Sequence, residues 1–96
     1  MTAVLPTIAV PQLSGGRERA RALVEQLGRS VHGATVVVDF RGMVAGTPSF
    51  ADELVLLVLD DGGASQLRAE HVSEEFGTYL VKAAGDHGAS ERLAII

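Results

Sequence analysis

No cysteine occurs in the 96 residues, which excludes disulfides, thiol catalysis and thiolate metal sites. Aromatic residues are scarce, with three Phe, one Tyr and no Trp, so the usual platform for stacking bases or sugars is missing. Long apolar runs are missing too. The longest, residues 54–59, is about a third of the ~20 residues a bilayer span needs. Basic charge is sparse: eight Lys and Arg face twelve Asp and Glu, for a net charge of −4. No basic run extends beyond the alternating Arg17, Arg19 and Arg21, so there is no electrostatic footprint for a phosphate backbone. Of the three prolines, Pro6 and Pro11 break a mildly apolar start that also lacks a basic n-region, unlike a signal peptide. These absences predict a cytoplasmic protein that partners neither nucleic acid nor membrane.

What is present suits one folded domain over 1–96. Apolar residues make up 47% and charged residues 21%, the balance of a globular chain, and the length allows a single core. β-branched and apolar residues at 4–10, broken by proline, predict an edge strand or strand end. Ala20, Leu23, Val24 and Leu27 fall at i, i+3, i+4 and i+7, predicting a one-sided helix over 17–28 that stops at Gly28. On its outer face, Arg21 and Glu25 are set for a solvated i,i+4 pair. The unalternating run 35–38 predicts a central strand covered on both faces.

Further along, Thr47-Pro48 has the form of an N-cap followed by proline at the first helical position. Phe50, Leu54, Leu57 and Val58 keep helical spacing from there. The run 54–59 alone is compatible with a buried strand as well. The cap, with Asp52 and Glu53 read as first-turn residues, favours the helix, while Asp60 and Asp61 at its far end oppose the helix dipole. Asp61-Gly62-Gly63 predicts a turn, 67–72 a short strand, Ser73 the cap of a third helix ending near Gly85, and 93–96 an edge strand or core cover. Alternating strands and helices define an α/β layer with right-handed crossovers.

Three segments carry a resemblance: Gly16-Arg17-Glu18-Arg19-Ala20-Arg21, then Val36-Val37-Val38-Asp39-Phe40-Arg41-Gly42-Met43, then Ser49-Phe50-Ala51-Asp52-Glu53-Leu54. In this order they resemble the STAS-like family of bacterial proteins, related to anti-sigma factor antagonists. The resemblance spans residues 14–75. It implies a small mixed sheet with helices packed on it, with Asp39, Phe40 and Gly42 as the structural motif. It further implies a regulatory role, as a monomer or weak homodimer; because no nucleophile, base and orienting group can be assembled from neighbours in the sequence, no catalysis, cofactor or metal is expected. The implied partner is a kinase-like ATPase of the anti-sigma factor or histidine kinase type. Gly46, Thr47, Pro48, Ser49, Phe50, Asp52 and Glu53 correspond to the recognition surface. In the phospho-regulated relatives a serine accepts phosphate at a position that falls here on Pro48, which has no hydroxyl. Ser49 and Thr47 flank it as candidate phosphoacceptors.

Blander readings stand beside these. Ser49 and Thr47 are also ordinary helix-start residues. Asp52 and Glu53, about 100° apart on a helix, are ill placed to share a substrate and read as solvated carboxylates or as contacts for a partner's basic group. Asp39 closes a strand where α/β folds place ligands, or simply braces its loop through backbone N–H bonds. Residues 14–17, Ser-Gly-Gly-Arg, precede a helix without the Lys-Ser/Thr end of a P-loop. A small ligand- or nucleotide-binding domain, or minor enzyme, using Gly15, Gly16 and Asp39 is therefore the alternative. His32, His71 and His87 have no ligand or triad spacing and read as surface or loop residues. The arginines read as solvated charges.

Overall fold

The computed structural model describes residues 7–27 and 30–96. The elements run β1 (Thr7–Ala9), β2 (Leu13–Ser14), α1 (Arg17–Glu25), β3 (Thr35–Asp39), β4 (Ala45–Gly46), α2 (Pro48–Val55), a π-helical turn (Leu56–Asp60), β5 (Gln66–Glu70), α3 (Glu74–Asp86), a 3₁₀ turn (Ser90–Arg92) and β6 (Leu93–Ile95). The α/β class is as the sequence predicts. The main sheet has the order β1-β3-β5-β6. All described strand pairs are parallel, where the resemblance implied a mixed sheet. Residues 4–6 of the expected first strand, and Gly28, lie outside the described residues.

A parallel sheet in sequential order, joined by right-handed crossovers, places every helix on one face. α1 accordingly packs on α2, and α2 on α3. Beneath them Val36 and Val38 of β3 and Leu67 and Ala69 of β5 are wholly buried in one continuous core. The expectation that β3 is buried on both faces holds. Val37 points away from the helices, in register with Thr7 and Arg68, and although outside the helix-side core cluster it is only 7% exposed. Its neighbour β5 is buried on one face only, alternating fully, with half-buried Gln66, Arg68 and Glu70 facing away from the helices. An Arg68–Glu70 ion pair at 3.5 Å tops that face.

Caps behave as their side chains dictate. Thr47 Oγ1 accepts from the Phe50 N–H at 3.2 Å, and Ser73 Oγ accepts from the Phe76 N–H at 3.1 Å, each satisfying an orphan donor of a first turn. α1 has no side-chain cap, and its N-cap Gly16 sits at φ 80, a conformation that favours glycine. The run 54–59 is helical, but its last turn widens, and the Asp61 N–H reaches Leu56 C=O at 2.7 Å, five residues back.

Candidate functional site

The chain's few aromatics are all spent in one place. Phe76 stacks at 5.2 Å from Phe40, 6.2 Å from Phe50 and 5.9 Å from Tyr79 between ring centroids, distances at which aromatic pairs attract. Phe40 follows β3, while Phe50 and Phe76 each stand third in their helices. They therefore floor the loop that links β3 to α2. Above them β4 pairs with β2, and the Val44 and Ala45 N–H groups both donate to Gln12 C=O at 2.8 and 3.1 Å. This ties the starts of α1 and α2 side by side. Thr47 Oγ1 completes the tie by accepting from the Gly16 N–H at 3.2 Å as well.

Gly46 lies directly on the aromatic floor. A Cβ there meets Phe76 ring carbons at 2.7 Å and Met43 Sδ at 2.8 Å. Gly46→Ala is expected to lower the urea midpoint by an amount worth about 1–3 kcal/mol, since a packed ring yields only with strain. An unchanged midpoint contradicts this placement.

The acidic pair on α2 differs from expectation. With Pro48 as the first helical residue, Asp52 and Glu53 follow the first turn rather than occupy it. Neither is a free carboxylate. Arg17 Nη1 donates to Asp52 Oδ2 at 2.6 Å and to Glu53 Oε1 at 3.3 Å, and Arg21 Nη2 donates to Glu53 Oε2 at 3.3 Å. The two carboxylates, too divergent to share a substrate, share a guanidinium from the neighbouring helix instead. Arg21 thus leaves its expected partner Glu25 for Glu53. The Glu53 side chain is 7% exposed, a burial tolerable for a carboxylate only when it is paired.

His87, expected on the surface, caps the end of α3 with a side chain 19% exposed. Its Nε2 lies 2.9 Å from Asp52 Oδ1 and its Nδ1 lies 3.2 Å from Asp60 Oδ2. Ionised carboxylates only accept, so both contacts are satisfied together only when both ring nitrogens carry protons. Partial burial works against the charged ring, but the Asp52 and Asp60 carboxylates outweigh it and raise the His87 pKa above its ordinary value. Hydrogen bonding from Arg17, then from His87, holds Asp52 below the usual carboxylate range despite desolvation. Asp60, unfavourable for the helix dipole, is placed to bind this imidazolium.

Of the residues assigned to recognition, Phe50 is fully buried and Glu53 nearly so, which removes both from any contact surface. Thr47 is half-buried, and its hydroxyl oxygen accepts two N–H groups. Pro48 and Ser49 are exposed, and Ser49 has no side-chain partner among the described residues. With Arg17 and Asp52 they form one wall of an open groove of about 440 Å³, whose other wall is Tyr79, Lys82, Ala83 and Asp86 of α3. Tyr79, Lys82 and Asp86 were not singled out from the sequence. Their i, i+3, i+7 stripe was available, but not the fact that it faces the start of α2.

Asp39 braces its loop as one of its two readings held, accepting the Arg41 N–H at 2.9 Å. Phe40 is buried. At Gly42 an added Cβ meets nothing nearer than Val10 C=O at 3.8 Å, so packing does not require glycine. Arg41 donates to His71 Nε2 at 2.7 Å. At the Gly15 and Gly16 turn, the Gly16 N–H is occupied by Thr47, and the Arg17 guanidinium is ion-paired through Nη1 with two carboxylates. Among the described residues no group of three His, Asp or Glu is placed to hold a metal ion, and no helix is long and apolar enough to cross a membrane.

Comparison with protein-family models, with curated proteins and with solved structures finds no match for this chain.

Proposed function

We propose that the chain is a STAS-like regulatory module that binds a protein partner, a kinase-like ATPase of the anti-sigma factor or histidine kinase type, through the start of α2. The observation that carries this reading is Ser49. Its side chain is exposed and without a partner among the described residues, at the second position of a helix whose first turn is fixed by the Thr47 cap, Pro48 and the aromatic floor. The sequence resemblance at 39–42 and 49–54 supplies the partner class. Gly46, Pro48 and Asp52 border Ser49, and the α3 stripe of Tyr79, Lys82 and Asp86 extends the same surface. A non-catalytic role is supported by His87, whose two nitrogens are both engaged by carboxylates and so lack a site to take a proton from a nucleophile.

Phosphate on Ser49 adds nearly two negative charges beside Asp52, at the positive end of the α2 dipole. Incubation with ATP and the kinase-like ATPase encoded nearest the chain's own gene is expected to add one phosphate at Ser49, read by intact mass and abolished by Ser49→Ala. Ser49→Asp is expected to weaken binding to that ATPase by about tenfold, or 1.4 kcal/mol, while Ser49→Ala binds as wild type. An unchanged mass together with normal binding by Ser49→Asp leaves Ser49 a plain helix-start residue and defeats the switch.

A further inference from the structure

Three of the four exposed large apolar residues among those described, Val81, Ile95 and Ile96, gather at one edge of the molecule, far in the sheet order from β1. Among the described residues β6 is the last strand there. The Ile96 N–H bonds back to Ala69 C=O at 2.9 Å, so strand alternation turns the N–H and C=O groups of Leu93 and Ile95 away from β5, toward the free edge. Ile95 is in register with Ala69, which faces the helices. It lines, with Val72, Gly77, Thr78 and Val81, an apolar groove of about 350 Å³ between α3 and the edge strand. A free strand edge beside an apolar groove walled by a helix is the geometry in which an extended peptide adds a strand and inserts alternate side chains.

Charge decides what occupies it. Glu74 lines one end of the groove and Glu91 lies two residues before β6, both exposed, and no ion pair engages either carboxylate among the described residues. Lys82 is ion-paired with Asp86 at 2.9 Å, whereas Arg92 donates to the neutral Ala64 C=O at 2.9 Å and keeps its positive charge. Two unpaired glutamates against one arginine leave this edge net negative. A second copy, with the same unpaired glutamates and the same net charge of −4, is the poorer complement. We propose that the β6 edge and its groove bind an extended peptide segment of a partner, with alternating apolar residues flanked by Lys or Arg, by strand addition. This surface is separate from Ser49 and does not depend on the function proposed above.

The test pans a phage-displayed library of random peptides, about twelve residues long, on the full chain, then measures the enriched peptide by fluorescence anisotropy. Enriched sequences are expected to alternate apolar residues and carry flanking Lys or Arg. Affinity is expected to fall at least about tenfold with Val81→Glu, and to vanish when alternate peptide amides are N-methylated. Glu74→Lys, also at an exposed position, is expected to weaken the basic peptide similarly, and serves if Val81→Glu does not fold. Ser49→Asp is expected to leave it unchanged. Failure of any peptide to enrich, binding indifferent to both Val81→Glu and Glu74→Lys, or loss only with Ser49→Asp overturns the proposal. So does a dimer in sedimentation that Ile95→Lys dissolves, because the edge then belongs to a second copy.

Discussion

Phe50→Asp is expected not to fold. The Phe50 side chain is wholly buried in the core and packs 6.2 Å from Phe76, the ring that also holds Phe40 and Tyr79. Removing a buried phenylalanine costs about 3–5 kcal/mol through lost transfer energy and the cavity left behind. A carboxylate in its place has no cation to pair with, because Arg17 and Arg21 are already held by Asp52 and Glu53, and an unpaired buried charge adds several kcal/mol more. Together these approach or exceed the whole ~5–15 kcal/mol that keeps a domain of this kind folded. Far-ultraviolet circular dichroism and amide chemical-shift dispersion are expected to show an unfolded chain. A cooperative melt near the wild-type temperature contradicts the burial of Phe50. Loss of partner binding in this variant therefore reports loss of fold and says nothing about docking.

Stability is expected to fall at both ends of the pH scale, and the alkaline limb belongs to His87. Its folded pKa is raised, so the stabilisation it gives is fully present below the ordinary imidazole value of about 6.5 and is lost as pH rises through the folded value. Deprotonation places a ring lone pair against a carboxylate. Asp52 runs the other way: its folded pKa is lowered, so its contribution is complete above the ordinary carboxylate value of about 4 and is lost as pH falls through the folded one. Both are intact only between these ranges, in mildly acidic solution. His87→Ala removes two charge-assisted contacts, one of them to the half-exposed Asp60, and is expected to cost about 1.5–3 kcal/mol in that plateau. Urea midpoints across pH are expected to drop above the His87 range in wild type and to lose that drop in His87→Ala. An alkaline limb that survives the substitution places the titration elsewhere.

Local chemistry was legible wherever a residue acts on its own neighbours. Thr47-Pro48 and Ser73 announced their helix starts because a hydroxyl three residues before an orphan N–H is a short-range interaction. The Asp39 brace was legible for the same reason. What crosses from one helix to the next was not. Periodicity shows which side of α2 is apolar, but not that Arg17 and Arg21 of α1 arrive at Asp52 and Glu53, or that His87 comes from the end of α3 to sit between two carboxylates. The widened turn at 56–60 and the gathering of the helices on one face of the sheet are tertiary outcomes of the same kind. Phe50 is instructive because the resemblance assigned it to the recognition surface, whereas it is wholly buried. Its helical spacing with Leu54 and Val58, used only to place the helix, carried the signal for burial.

The central claim is that partners meet the exposed start of α2 and the facing stripe of α3. Amide and methyl chemical-shift mapping of the isotope-labelled chain during titration with the kinase-like ATPase tests it most directly. The predicted result is that perturbations concentrate on the amides of Gly46, Ser49, Asp52, Tyr79 and Lys82, with Gln66, Arg68 and Glu70 on the opposite sheet face unmoved. Perturbation of that sheet face with the α2 start unmoved, or no perturbation at saturating ATPase, contradicts it.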